Sequence, residues 1–398
     1  MNKFAAAIIF SGLVFLLLAE GCKSGKIQKQ QTADHSTGLK DYYKDYFTIG
    51  AAVSPQGLKR PEESQLILQQ FTSITPENAM KMGPIHPKEN EYFWKDADSI
   101  AAFAKQNNLK LRGHTLCWHN QTPRWLFMDS TMNPPDTVSK EVLLQRLKDH
   151  ITTVVTRFKG TIYAWDVVNE VISDNPNEYF RNSPFYRISG EEFVAKAFEY
   201  AHAADPDALL FYNDYNETNP VKREKIFKLV KGLKDAGIPI HGVGLQAHWS
   251  IHDLTEGQVD STISKFAELG LKIQITELDI KVQPAGNRAQ QDTVTSYTIE
   301  RENKQTEQYE MVFRLFRKYR NIISGVTFWN VSDKYSWLDR RGRGKAYPLL
   351  FDTTYKPKKA YWEVVKILSS QFLFGVWSQE RFTCKEEIGQ LRLKVRKH

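Results

Sequence analysis

From about residue 45 to residue 370, short apolar runs alternate with longer segments carrying a helical stripe, and the alternation repeats eight times. No other feature limits the fold so tightly. The apolar runs are Phe47–Val53, Ser73–Asn78, Lys110–Trp118, Tyr163–Glu170, Leu209–Asn216, Gly242–Trp249, Lys272–Ile280 and Ser324–Val331. Between them lie amphipathic stretches at about Ser64–Gln70, Asp96–Gln106, Ser139–Phe158, Glu191–Ala204, Val221–Ala236, Glu256–Leu269 and Asn303–Tyr319, with a last one at Lys358–Leu368. Apolar runs of strand length, each followed by a helix, signal parallel strands covered on both faces. Eight βα units fit a closed (β/α)8 barrel or an open doubly wound sheet, and periodicity does not separate the two. The polar residues do. Glu77, His114, Glu170, Asp214, His248, Glu277 and Trp329 all fall at or near the C-terminal end of an expected strand. A barrel gathers those ends on one rim, whereas an open sheet strings them along an edge. A single α/β domain, a (β/α)8 TIM barrel over residues 42–370, is therefore expected.

With 398 residues, 41% of them hydrophobic and 25% charged, the chain can bury a full core without disulfides. The formal charge of +8 raises the question of nucleic acid. Its basic residues are scattered along the helical stretches, with no arginine-rich arm and no recognition-helix motif, so no nucleic-acid partner is expected. Nine Trp and 17 Tyr offer flat apolar rings suited to sugar faces, although most must serve as core. Neither CxxC nor HExxH occurs, so no metal and no cofactor is expected. Cys117 lies in an apolar strand and reads as a small buried hydrophobe; a bridge to Cys384 is the alternative in an oxidising compartment.

The ends do not continue the pattern. Lys3 and the apolar run Ala5–Ala19 form an export signal over residues 1–21, too short for the ~20 residues of a membrane span. Ala19-Glu20-Gly21-Cys22 resembles a bacterial lipoprotein box, with Cys22 as the lipidated residue, although Glu20 departs from the usual small or uncharged residue. Residues 22–41 then form a flexible tether, and residues 371–398 a basic tail of no assigned role. Export to the periplasm, or to a lipid-anchored position on an outer membrane, is the expectation.

Two segments carry the chemistry: Tyr163-Ala-Trp-Asp-Val-Val-Asn-Glu170 and Ile275-Thr-Glu277-Leu-Asp279. Each ends a strand with a glutamate. An isolated strand-end glutamate is most simply an ion pair, but two at one barrel mouth suit hydrolysis of an acetal. One must protonate the departing oxygen while the other meets the oxocarbenium-like centre.

These two segments do not stand alone. Thr75-Pro-Glu77-Asn78-Ala-Met-Lys81, Arg112-Gly-His114-Thr-Leu-Cys-Trp118-His119-Asn-Gln121, Gln246-Ala-His248 and Phe328-Trp329-Asn-Val-Ser-Asp-Lys-Tyr-Ser-Trp337 accompany them in order. Together they resemble glycoside hydrolase family 10, the retaining (β/α)8 endo-β-1,4-xylanases, over about residues 42–370. Asn-Glu at the end of strand four is shared by a wider clan of barrel glycosidases. The resemblance implies a monomeric enzyme cutting xylan and xylooligosaccharides, with Glu170 as general acid/base and Glu277 as nucleophile. It implies that His248 and Asp279 support the nucleophile and that Asn169 binds the sugar 2-hydroxyl. Glu77, Asn78, Lys81, His114, Trp118, Gln121 and Gln246 are then substrate contacts, mostly on the non-reducing side. Trp329 would floor the reacting sugar, and Trp337 would close over the position of a hexose C6 group, excluding glucose sterically. Retention implies carboxyl groups roughly 5–5.5 Å apart. Asn330 stands where many relatives have Gly, and Cys117 where many have Val. The loops at 174–190 and 283–303 border the leaving-group side. A glucanase or mixed-specificity glycosidase on the same barrel is the nearest alternative. A non-catalytic glycan-binding lipoprotein is another, and the presence of both glutamates argues against it.

Overall fold

The computed structural model describes residues 37–129, 136–284, 296–341 and 344–366. Its principal strands are β1 (Thr48–Val53), β2 (Ser73–Pro76), β3 (Lys110–Trp118), β4 (Ile162–Asn169), β5 (Leu209–Asp214), β6 (Gly242–Leu245), β7 (Lys272–Lys281) and β8 (Ile323–Phe328). Each pairs in parallel with the next. β8 also returns to β1, with Thr48 opposite Gly325 and Ala51 opposite Phe328, so the sheet closes on itself. That last pairing decides for the barrel over the open sheet.

Between the strands run α1 (Pro61–Gln70), α2 (Lys95–Gln106), α3 (Lys140–Arg157), α4 (Glu192–Ala204), α5 (Pro220–Asp235), α6 (Glu256–Ala267) and α7 (Ile299–Lys318). A last helix occupies 359–366. Several start where the sequence supplies an oxygen for the orphan amides: Ser139, Asn219, Thr255 and Thr298 cap α3, α5, α6 and α7. Their apolar stripes pack on the barrel, as with Leu143, Leu147, Ile151 and Val154 of α3, all fully buried.

The structure differs from the sequence expectation in three places. The folded unit starts earlier than residue 42. Leu39 is fully buried within a single helical turn, its N–H donating to Gln70 Oε1 at 2.9 Å, so residues 38–41 belong to the barrel and not to a tether. β4 stops at Asn169, because Glu170 turns to φ +59°. The sixth run breaks after Leu245, passes Ala247 at φ +60°, and resumes as a short strand His248–Ser250 beside β7. In both breaks the left-handed residue redirects the chain just where side chains must leave the strand and enter the rim. Cys117 is a buried free thiol. The expected signal, Cys22, most of the tether, Cys384 and the tail 371–398 lie outside the described residues. Among the described residues no helix is long and apolar enough to cross a membrane.

The barrel interior is not wholly apolar. Arg112 on β3 reaches Asp166 on β4 with two guanidinium nitrogens and donates from Nε to Gln274 Oε1 at 2.7 Å. His114 Nδ1 lies 2.8 Å from Asp166 Oδ2. Burying such charges is costly unless each is paired and hydrogen-bonded, as these are. Close packing enforces the neighbouring glycine. A Cβ on Gly113 would sit 2.1 Å from the ring of Trp165, which is only 1% exposed and has nowhere to go. Gly113→Ala should therefore cost about 3 kcal/mol of stability through overpacking, seen as a lower midpoint in urea unfolding; an unchanged midpoint would contradict this packing.

Candidate active site

At the C-terminal ends of the strands a cleft of about 610 Å3 opens. Every barrel residue singled out as a site residue lines it: Glu77, Asn78, Lys81, His114, Trp118, Gln121, Asn169, Glu170, Gln246, His248, Glu277, Asp279, Trp329 and Trp337. Asp214, noted only for its strand-end position, lies behind the cleft. It is fully buried and paired with Lys222 Nζ at 3.1 Å.

Glu277 projects from β7 and is 4% exposed. Its Oε1 accepts from Asn213 Nδ2 at 2.8 Å, and its Oε2 lies 3.0 Å from His248 Nε2. The other ring nitrogen of His248 lies 3.0 Å from Asp279 Oδ2, which also accepts from Trp337 Nε1 at 2.8 Å. Strand register arranges this, since Asp279 pairs directly with His248. Burial disfavours charge on His248, but the flanking carboxylates outweigh it and push its pKa up to about 10. Burial alone would likewise raise Glu277. The His248 hydrogen bond and the nearby imidazoles win, and Glu277 is held below the usual carboxylate range.

Glu170 meets a different set of neighbours. Its Oε2 accepts from Trp118 Nε1 at 2.8 Å and its Oε1 from Gln246 Nε2 at 2.9 Å. Both donors are neutral. Burial raises its pKa above the ordinary value, the carboxylates Asp214 and Glu277 add to the rise, and the two donors offset only part. Its left-handed backbone is tied down on both sides: N–H donates to Asn213 O at 2.9 Å, and its carbonyl accepts from Arg181 Nε at 3.0 Å.

A chain of amides joins the two carboxyls. Asn213 Nδ2 reaches both Glu277 and, at 3.0 Å, Asn169 Oδ1; Gln246 Nε2 reaches both Asn169 Oδ1, at 3.2 Å, and Glu170. Register again sets the geometry, with Trp118 opposite Asn169 and Asn169 opposite Asn213. On the far wall Lys81, 7% exposed, donates to Asn78 Oδ1 at 3.1 Å, and Asn78 donates to Glu77 Oε1 at 3.1 Å. The Lys81 ammonium sits 4.8 Å from the Trp118 ring centre. Burial lowers the Lys81 pKa, against the pull of Glu277, Glu77 and Glu170. Trp329, 5% exposed, meets the edge of His114 with ring centres 5.1 Å apart.

Sequence reasoning missed Asn213, which holds Glu277, and Tyr215 and Trp249, which line the cleft. The available signal was the polar cluster Asn213-Asp214-Tyr215-Asn216 closing the fifth run. In the loop after β4, Arg181 Nη2 donates to Tyr215 Oη at 2.8 Å, so that loop braces both Glu170 and the Tyr215 wall. A carboxylate held ionised and a carboxyl inclined to keep its proton thus share one aromatic-walled cleft, the arrangement that acid-assisted substitution at an acetal carbon requires.

Comparison with known proteins agrees with this geometry. The family described as Glycosyl hydrolase family 10 matches residues 38–367. The chain is 48% identical over 360 residues to a β-1,4-xylanase of Dictyoglomus thermophilum, covering 90% of this chain and 98% of that one. It is 45% identical over 334 residues to an endo-1,4-β-xylanase of Geobacillus stearothermophilus, covering 83% and 98%. Among solved structures, xylanase XynB of Paenibacillus barcinonensis, complexed with a conduramine derivative, matches with a TM-score of 0.79 and 45% identity over 82% of this chain and 98% of that one. A mutant structure in complex with xylotriose matches with a TM-score of 0.79 and 42% identity over 83% and 99%.

The raised pKa of His248 has two measurable consequences. At pH 8 both ring nitrogens should carry protons, which 15N NMR of the imidazole reads directly; a singly protonated ring would contradict the flanking-carboxylate account. Because the folded value lies above the unfolded one, the bound proton stabilises the fold fully below about pH 6.5. That contribution fades as pH rises toward about 10.

Proposed function

The chain belongs to glycosyl hydrolase family 10, and on that footing we propose that it cleaves internal β-1,4-xylosidic linkages of xylan and xylooligosaccharides with net retention. The observation that carries this reading is the opposite tuning of two buried carboxyls in one cleft, Glu277 downward and Glu170 upward. Relatives named as a β-1,4-xylanase and an endo-1,4-β-xylanase, at 48% and 45% identity over most of the chain, support the substrate class.

In the first step ionised Glu277 attacks the anomeric carbon while Glu170 gives its proton to the departing glycosidic oxygen. The carbon–oxygen bond breaks and a glycosyl ester forms on Glu277. That ester carries no charge, so one cause of the raised Glu170 pKa disappears, and Glu170 becomes the base that takes a proton from attacking water. His248, clamped between Glu277 and Asp279, keeps the nucleophile oriented and favours its ionised form. Asn169 is beside both carboxyls through Asn213 and Gln246, which suits a contact to the 2-hydroxyl that tightens in the transition state. Trp329 floors the reacting sugar. Trp337, fixed by its bond to Asp279, covers the edge where a hexose would place C6, favouring xylose. We extend the same reading to the N-terminus: an exported protein, lipidated at Cys22 and acting in the periplasm or at an outer membrane.

Glu277→Ala should lose roughly four orders of magnitude or more in kcat, and unchanged hydrolysis would refute the nucleophile assignment. Glu170→Ala should lose about 10²–10⁴-fold and recover with azide or with good leaving groups; no recovery would count against the acid/base role. Wild-type activity should fall on the acidic side as Glu277 takes a proton below the usual carboxylate range. On the alkaline side it should fall as Glu170 loses its proton above that range. NMR of the first product from xylooligosaccharide should show the β-anomer, and a strong preference for carboxymethylcellulose over xylan would favour the glucanase alternative. Cys22→Ala should release the protein from the membrane fraction; unchanged association would remove the lipid anchor.

A further inference from the structure

The turn that presents Glu170 is secured from outside its own strand. β4 ends at Asn169, and the Glu170 carbonyl accepts from Arg181 Nε at 3.0 Å. Arg181 is itself held, because its Nη2 donates to Tyr215 Oη at 2.8 Å and to Asp174 Oδ2 at 3.2 Å. Asp174 is the hub of this loop. It also accepts from Asn216 Nδ2 at 3.2 Å, from the Tyr215 hydroxyl, and from Lys222 Nζ at 2.8 Å. Burial would raise the Asp174 pKa, but the hydrogen bonds from Lys222 and Tyr215 outweigh it and bring the group down to about 2. The hub is therefore a carboxylate at any working pH.

Lys222 stands apart from the rest of this cluster. It comes from the first turn of α5, where Asn219 Oδ1 accepts the N–H groups of Val221 and Lys222. It is 3% exposed, and a lysine is rarely buried unless its charge is paired. Here the pairing is double. The ammonium lies 2.8 Å from Asp174 Oδ1, in the loop after β4, and 3.1 Å from Asp214 Oδ1, at the end of β5. It also stands 3.8 Å from the ring centre of Tyr215, which lines the cleft. One turn further along α5, Lys225 Nζ donates to the carbonyls of Asn175 at 2.6 Å and Glu178 at 2.5 Å. Helix α5 thus clamps the loop after β4 twice, and Lys222 is the clamp that reaches the groups around Glu170. Removing it would leave Asp214, which is fully buried, without its cation.

We propose that Lys222 is a positioning residue for proton donation. By bridging Asp174 and Asp214 it fixes Arg181 and Tyr215, and through the Arg181–Glu170 contact it sets where the Glu170 carboxyl meets the departing oxygen. The proposal rests on the acid/base role proposed above for Glu170. Lys222 does not line the cleft, and it transfers no proton itself. Without it, Asp174 loses its tie to a rigid helix, and Arg181 no longer holds the Glu170 turn in register. A misplacement of about 1 Å costs up to about 10²-fold in rate. That cost falls selectively. A poor leaving group cannot depart without the proton, whereas a good one departs as a stable anion.

The test compares kcat/KM, which reads the first chemical step, for phenyl and 2,4-dinitrophenyl β-xylobiosides. Lys222→Met should lose about 10–100-fold on the phenyl glycoside, and the loss on the dinitrophenyl glycoside should be about tenfold smaller. A purely structural defect would depress both alike. Equal losses on the two substrates, or no loss on either, overturn the positioning role. Asp174→Ala removes the other half of the clamp at a side chain that is 40% exposed, so it provides the reading if Lys222→Met does not fold. It should show the same dependence on the leaving group, and equal or absent losses there overturn the proposal too. Glu170→Ala is the reference and should show that dependence more steeply. If Glu170→Ala instead loses equally on both glycosides, the acid/base assignment fails, and the role of Lys222 falls with it.

Discussion

Glu170 and Glu277 are buried in the same cleft, so desolvation pushes both toward the protonated form. What separates them is the charge of their hydrogen-bond donors. Glu277 receives an imidazole flanked by a second carboxylate, whereas Glu170 receives an indole and a primary amide. A charged donor stabilises a carboxylate about twice as well as a neutral one. Glu277 in turn is one of the negative charges that raise Glu170. The two groups are thus tuned against each other, and any event that removes the charge on one shifts the other.

The rest of the barrel serves that asymmetry. Beneath the rim, Arg112, Asp166 and His114 form a buried, fully engaged charge cluster, and Gln274 takes the remaining guanidinium contact. Such a cluster is a poor source of stability compared with apolar packing. Its effect is local: His114 lies close enough to Glu277 to favour the ionised form. Of the eight non-glycine residues with positive φ among the described residues, four belong to the same region. Gln121, Glu170, Ala247 and Asn330 all have positive φ, at 51°, 59°, 60° and 137°, and all lie in or beside the cleft. At Glu170 glycine would relieve the backbone but delete the side chain that the position exists to present.

Much of the site could be read from residues because it lies at strand ends, and strand ends were recoverable from the alternation of apolar and amphipathic runs. His248 and Asp279 are separated in sequence yet stand opposite each other by simple parallel register. Asn213 escaped notice for a physical reason. Asparagine near a strand end is ordinary, and its importance comes from reaching across two neighbouring strands to Asn169 and Glu277 at once. Glu170 was expected to finish β4 in extended form, but no local signal marks its left-handed turn. The bonds from Asn213 and Arg181 that hold it there come from other strands and loops.

By itself the sequence determined the eight-unit alternation, the rim position of the polar residues and the two carboxyl-bearing segments, because periodicity and residue chemistry are local properties. Only the tertiary structure decided that the sheet closes, through the pairing of β1 with β8, the most distant strands in the chain. It alone decided which glutamate sits beside a charged donor and which beside neutral ones. It also brought Lys222 of α5 onto Asp174 and Asp214, joining the loop after β4 to the end of β5. Pairing partners, burial and electrostatic neighbours depend on distances in space, and distance along the chain does not encode them.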